Sequence, residues 1–138
     1  MKMRFKIMSA ALAVLTMLMC ATLPIQAAVV KLDVEPMWDN TGTITLALGF
    51  PDYGYAEAVV VGQTGVTLIT IDVYVYRQSG NAWIYVAEKH TVINGSSGGI
   101  SCQFVAIPNT YYRADYTFTV TKNGLDEIID KTQYRFCE

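Results

Sequence analysis

From about residue 43 to residue 136 the chain alternates apolar and polar side chains with a period of two, and Gly, Asn, Asp or Pro breaks the alternation at roughly ten-residue intervals. Only a β-strand sends successive side chains to opposite faces, so each such segment can bury one side and must find partners to form a sheet. Residues 43–49 set Ile44, Leu46 and Leu48 on one face. Residues 55–61 place the small Ala56 and Ala58 beside Val60, which lets a facing sheet approach closely. The strongest signal runs over 67–77, where Ile69, Ile71, Val73 and Val75 oppose Leu68, Thr70, Asp72, Tyr74 and Tyr76. A turn at Ser79-Gly80-Asn81 returns the chain along 82–89, and 94–99 reads as a flexible Gly/Ser loop.

Three further strands follow. Residues 100–105 align Ile100, Cys102 and Phe104, and 111–121 align Tyr112, Ala114, Tyr116, Phe118 and Val120. Asn123-Gly124, a pair that tolerates positive φ, then predicts a hairpin into 125–136. About seven short strands with turns between them, and almost no helical periodicity, predict an all-β fold: an immunoglobulin-like Greek-key β-sandwich, with a small barrel as the other solution. Tyr112, two residues ahead of Ala114, has the spacing of a tyrosine corner; the cysteine of an antibody-type core is absent at Ala114 and at Ala58.

The first 27 residues break this pattern. Lys2, Arg4 and Lys6 precede an apolar run that Pro24 ends, and Ala27 offers a small residue for cleavage. The expectation is a helical signal peptide over 1–27, removed on export, then an extended arm over 28–40 and the sandwich domain over 41–138. The competing reading is a retained membrane anchor, for which an apolar run of about 17 residues is at the short end of what spans a bilayer. Cleavage takes three cations with it and leaves seven Lys plus Arg against twelve Asp plus Glu, a net charge of −5. Such a surface repels polyanions, which disfavours nucleic acid, and the membrane is contacted only through the signal peptide.

Two cysteines survive cleavage, Cys102 and Cys137. An even pair in an exported chain predicts a disulfide that pins the C-terminal strand, contributing about 3–4 kcal/mol in the chain-entropy view.

Several short motifs point in one direction. The segment Pro36-Met37-Trp38-Asp39-Asn40-Thr41, the strand Ile69-Thr70-Ile71, the turn leading to Trp83, and Tyr111-Tyr112-Arg113 resemble small secreted proteins of Gram-positive, clostridia-like bacteria. That family is of uncharacterised function. The resemblance spans most of residues 36–136; it implies export and an immunoglobulin-like sandwich, and it carries over no catalytic residue.

Catalytic readings fail for want of residues. The single histidine, His90, falls near a strand end, and no serine near it in sequence sits on a strand-to-helix elbow. One His and two Cys cannot assemble a zinc site, and Asp39-Asn40-Thr41-Gly42 lacks a calcium-loop pattern, so no metal or other cofactor is expected. Asp126, Glu127 and Asp130 read as a charged edge that discourages aggregation.

The one site-like feature is aromatic. If the hairpin pairs Tyr76 with Trp83 and Tyr74 with Tyr85, then Tyr74, Tyr76, Trp83 and Tyr85 form an outer platform able to stack on sugar rings or partner side chains. A shift of one residue turns Trp83 into the core, where its ring would serve packing. The expected function is therefore a secreted, non-enzymatic binding or surface-interaction module whose partner is an extracellular protein or glycan. The competing readings are a small carbohydrate-active protein acting on cell-wall glycan and a passive structural or toxin-like secreted peptide.

Overall fold

The computed structural model describes residues 38–138, so the expected signal peptide over 1–27 and most of the expected arm over 28–40 lie outside the described residues. Seven strands follow in order: β1 Thr41–Gly49, β2 Gly54–Gly62, β3 Val66–Ser79, β4 Ala82–Asn94, β5 Ser97–Phe104, β6 Thr110–Lys122 and β7 Leu125–Cys137. They form two sheets, one ordered β1-β2-β5 and the other β4-β3-β6-β7, with every neighbouring pair antiparallel. No helix occurs among the described residues. The architecture is an all-β, two-sheet sandwich.

The alternation explains the core. Ala56, Ala58 and Val60 of β2, Ile69, Ile71, Val73 and Val75 of β3, and Tyr112, Ala114, Tyr116, Phe118 and Val120 of β6 are all buried on facing sides. Ile100, Cys102 and Phe104 of β5 complete the layer. Each fully buried Ile, Val or Phe contributes about 1.5–3 kcal/mol of transfer free energy, so the central strands dominate stability. One end of the core is aromatic: Phe50 and Phe104 both pack on Tyr112, with ring centroids 5.1 and 5.2 Å away. The hydroxyl of Tyr112 accepts the Ile107 N–H at 2.8 Å, the main-chain bond expected of a tyrosine corner.

The predicted Gly/Ser loop is a correction. β4 runs on to Asn94 and β5 begins at Ser97, so Gly98 and Gly99 are strand residues. Their lack of a side chain is what permits this. A Cβ on Gly98 would lie 2.6 Å from the Ile93 side chain, and one on Gly99 would lie 2.7 Å from the Ala58 carbonyl. At Asn123-Gly124 both φ values are positive, 54° and 73°, as a type I′ turn requires.

The seam between β1 and β7 is polar. Inward-pointing residues of β7 reach the unpaired edge of β1, and its carbonyls are met by side chains. Arg135 donates to the Leu48 carbonyl at 2.9 Å, and the Tyr116 hydroxyl donates to the Ala47 carbonyl at 3.3 Å. At the start of β1 the Glu127 carboxylate accepts the Asp39 N–H at 2.7 Å, the Asn40 N–H at 3.2 Å and the Thr41 hydroxyl at 2.7 Å. Asn40 in turn donates its amide to the carbonyls of Val120 and Leu125. Glu127 is thus a brace for β1, while Asp126 and Asp130, on the opposite side of β7, accept the hydroxyls of Thr121 and Thr117.

The expected disulfide is also corrected. Cys102 and Cys137 are both buried and both free. They sit at opposite flanks of the sandwich: β5 lies beside β4, whereas β7 is the far edge of the four-stranded sheet, with β3 and β6 between it and β4. Strands in a sheet are about 4.8 Å apart, so this offset far exceeds the roughly 6.8 Å that a bridge tolerates between Cα atoms.

Candidate binding face

The register of the β3–β4 hairpin decides where the predicted aromatic platform goes, and it differs from both registers considered from sequence. Gly80-Asn81 is a two-residue turn that pairs Ser79 with Ala82, hence Gln78 with Trp83 and Tyr76 with Tyr85. A bulge then intervenes: Val75 pairs with Ala87, leaving Val86 as the extra residue, and Tyr74 meets Glu88 rather than Tyr85. The turn keeps Trp83 on the outer face, so the core placement of Trp83 is overturned. The bulge separates Tyr74 from the Tyr76–Tyr85 pair, and below it keeps Glu88 and His90 facing outward while Lys89 turns toward β5, where it donates to the Ser101 carbonyl.

All four platform residues therefore belong to the outer face of the four-stranded sheet, Tyr74 39% and Tyr85 53% exposed. Tyr76 and Tyr85 meet edge to face at 6.3 Å. Trp83 reaches across the sheet to Tyr134 of β7, with centroids 5.8 Å apart. Beneath it lies Arg113 of β6, whose guanidinium carbon is 4.5 Å from the Tyr76 ring centroid and 5.1 Å from that of Trp83. Arg113 also pairs with Asp115 at 3.1 Å, and its buried Nε has no hydrogen-bond partner.

Sequence reasoning missed Arg113 and Tyr134 as members of this face. They come from β6 and β7, far from the hairpin in sequence, and pairing brings Tyr85, Tyr76, Arg113 and Tyr134 into one row across all four strands. The available signal was parity: Arg113 opposes the buried Tyr112, and Tyr134 alternates with Gln133 and Arg135. Beyond this row Tyr111 and Phe136 stack at 4.8 Å, extending the aromatic surface to the end of the sheet.

Toward the other end the face becomes acidic. Successive rows carry Glu88 and Asp115, then His90, Asp72 and Asp130; a row of Val92, Thr70, Thr119 and Ile128 follows, and the row after it carries Asp126. His90 Nδ1 lies 2.6 Å from Asp72, a cross-strand pair with the His side chain 59% exposed. Thr117, next in that row, donates its hydroxyl to Asp130. Loss of water around its hydroxyl, and then the Glu88 carboxylate, push the Tyr85 phenol above its ordinary value. Among the described residues no group of His, Cys, Asp and Glu has metal-binding geometry.

The concave features lie elsewhere. A depression of about 500 Å³ next to the chain end is lined by Phe50, Pro51, Tyr55, Arg135 and Phe136; it adjoins the aromatic surface at Phe136, but Tyr74, Tyr76, Trp83 and Tyr85 do not line it. Cys102 lies under the sheets, where burial pushes its thiol up and makes it a poor nucleophile.

No protein-family model matches the chain, and no curated protein matches it. Among solved structures it is similar to part of wild-type OgpA from Akkermansia muciniphila, at 15% identity and a TM-score of 0.42 over 70% of this chain. It spans only 28% of the length of that protein. It is also similar to a protein from Arabidopsis thaliana solved in solution, at 10% identity and a TM-score of 0.39, covering 70% of this chain and 79% of that one. A protein from Archaeoglobus fulgidus is 11% identical with a TM-score of 0.33, covering 69% of this chain and 94% of its own. Likenesses this distant do not bear on function, which must be read from the residues of the face.

Proposed function

We propose that the protein is a secreted, immunoglobulin-like Greek-key sandwich that works by binding an extracellular partner on the outer face of its four-stranded sheet, without catalysis. The strand orders β1-β2-β5 and β4-β3-β6-β7, together with the Tyr112 corner, support the immunoglobulin-like reading. The signal-like residues 1–27 support export.

The observation that carries the binding reading is the exposed aromatic row. Soluble sheets usually turn polar side chains to water, yet here Tyr85 and Tyr134 are 53% and 65% exposed around a guanidinium held between rings. Aromatic side chains and Arg are the residue types enriched where proteins bind, because they offer large contact area at small entropic cost. The non-catalytic reading rests on His90: it is paired with Asp72 in an exposed row of a pleated sheet, and the hydroxyl nearest in that row is committed to Asp130.

The test is retention of the purified protein on arrays of extracellular proteins and glycans, comparing it with a Tyr85→Ala, Tyr134→Ala double variant. Retention that the double variant loses, with unchanged melting temperature, supports the reading. Equal retention of the two proteins, or turnover of a glycan by either, overturns it.

A further inference from the structure

The charges of the sandwich are segregated, and this narrows the partner. Among the described residues there are six Lys and Arg: Arg77, Lys89, Arg113, Lys122, Lys131 and Arg135. Only Arg113 lies on the outer face of the four-stranded sheet. The other five sit at inward-facing strand positions, Lys89 and Arg135 being tied to backbone carbonyls and Lys131 lying 4.9 Å from the Trp38 ring centroid. The same outer face carries Asp72, Glu88, Asp115, Asp126 and Asp130, with His90 set against Asp72. The aromatic surface therefore has an acidic continuation with one compensating cation.

Arg113 shows what this combination holds. Its guanidinium lies over ring faces and pairs with a neighbouring carboxylate, so one cation already satisfies itself with the two kinds of group that the rest of the face offers to solvent. Geometry adds a length scale. Rows of outward side chains repeat every two residues along the strands, about 6.8 Å, which is also the step between same-side residues of an extended chain. An extended segment lying along β3 and β6 thus brings alternate side chains over successive rows, first the rings, then the carboxylates.

Resting on the binding reading above, we propose that the partner is a basic polypeptide segment, bound in extended form along the outer face of the four-stranded sheet. One Arg or Lys stacks on the Tyr85 and Tyr134 rings, and the following alternate cations reach Glu88 and Asp115, then Asp72 and Asp130.

The experiment maps amide chemical shifts of the purified protein during titration with a blocked peptide of alternating arginine and serine, about ten residues long. A glutamate–serine peptide and a neutral chito-oligosaccharide serve as the other arms. The expected result is saturable shifts on the outward residues of β3, β4, β6 and β7 with the arginine peptide alone. Affinity should fall at least about tenfold between about 20 mM and about 300 mM salt. A similar fall is expected in the Asp72→Asn, Asp130→Asn double variant, whose uncharged isosteres leave the strands intact, and in Tyr85→Ala. Absence of binding at low salt, shifts confined to another surface, or affinity indifferent to salt and to the Asn variants each overturn the proposal. If the oligosaccharide perturbs this face and loses its effect in Tyr85→Ala while the arginine peptide does nothing, the cationic partner is refuted and the binding face stands. If neither ligand reaches the face, the cationic partner is refuted, and the array comparison then decides the face itself.

Discussion

The hydroxyl of the buried Tyr112 closes a loop by accepting, at 2.8 Å, the N–H of Ile107, five positions earlier in the chain. That bond joins the connection leaving β5 to the first residues of β6, the strand that lies between β3 and β7. The Tyr112 ring is meanwhile packed against Phe50 and Phe104, so one side chain ties a loop to the aromatic end of the core. Removing only the oxygen leaves the packing in place and orphans a half-buried donor.

Tyr112→Phe is accordingly expected to cost about 1–3 kcal/mol, the penalty of an unsatisfied backbone group, with no change in fold. Chemical denaturation measures the loss, and a midpoint equal to wild type would mean that water replaces the hydroxyl.

The Arg113 cluster makes a second prediction. Tyr76 and Arg113 are cross-strand partners whose contact is partly shielded by Trp83. A double-mutant cycle with Tyr76→Leu and Arg113→Met should return a coupling energy of about 0.5–2 kcal/mol, which high salt reduces only slightly because the cation is covered. A coupling near zero would reduce the stack to a coincidence of packing.

Glu127 makes the third. Its carboxylate accepts from Asp39, Asn40 and Thr41, so Glu127→Ala should free the start of β1 and destabilise the domain by about 2 kcal/mol. Hydrogen exchange is the sharper measurement: the amides of Asp39 and Asn40 should exchange faster than those of β3 and β6. Uniform acceleration throughout the domain would show that Glu127 supports global stability and not this one junction.

Which side of each strand is buried was legible in the sequence, because parity is a local property: Ile69 to Val75 and Tyr112 to Val120 face inward as their alternation required. What crosses between segments was not. The Trp83 orientation depends on a turn of two residues and on a bulge at Val86, and each of these shifts the pairing without leaving a mark in the apolar pattern. Gly98 and Gly99 carried a misleading signal, since glycine serves a flexible loop and a close backbone approach equally well. The bracing role of Glu127 depends on partners at least 86 positions away, beyond any local reading. Among the site residues, Tyr76, Trp83 and Tyr85 were found because they share one hairpin; Arg113 and Tyr134 needed the sheet order.

The thiols supply the fourth prediction. Because Cys102 and Cys137 are free and lie at opposite flanks, a reducing agent should leave the melting temperature unchanged, and both thiols should resist alkylation until the domain unfolds. Removing a bridge from a domain of this size costs about 2–5 kcal/mol, so a large fall in melting temperature under reduction would contradict the thiol state described.

The last prediction concerns alkaline stability. Tyr116 is buried with its hydroxyl between the Ala47 carbonyl and Gln133, and burial pushes its phenol well above the ordinary value of about 10. The native state therefore holds the proton more tightly than the unfolded chain. Stability from this source is complete below the unfolded value and is lost as pH rises above about 10 toward the higher native value, because the unfolded chain alone gains by ionising. Tyr116→Phe removes that slope and the hydrogen bond to Ala47 together. The variant should be less stable than wild type near neutrality, by about 1 kcal/mol, and should lose less between about pH 10 and pH 12. Denaturation midpoints collected across that range make the comparison, and parallel declines for the two proteins would place the alkaline sensitivity at some residue other than Tyr116.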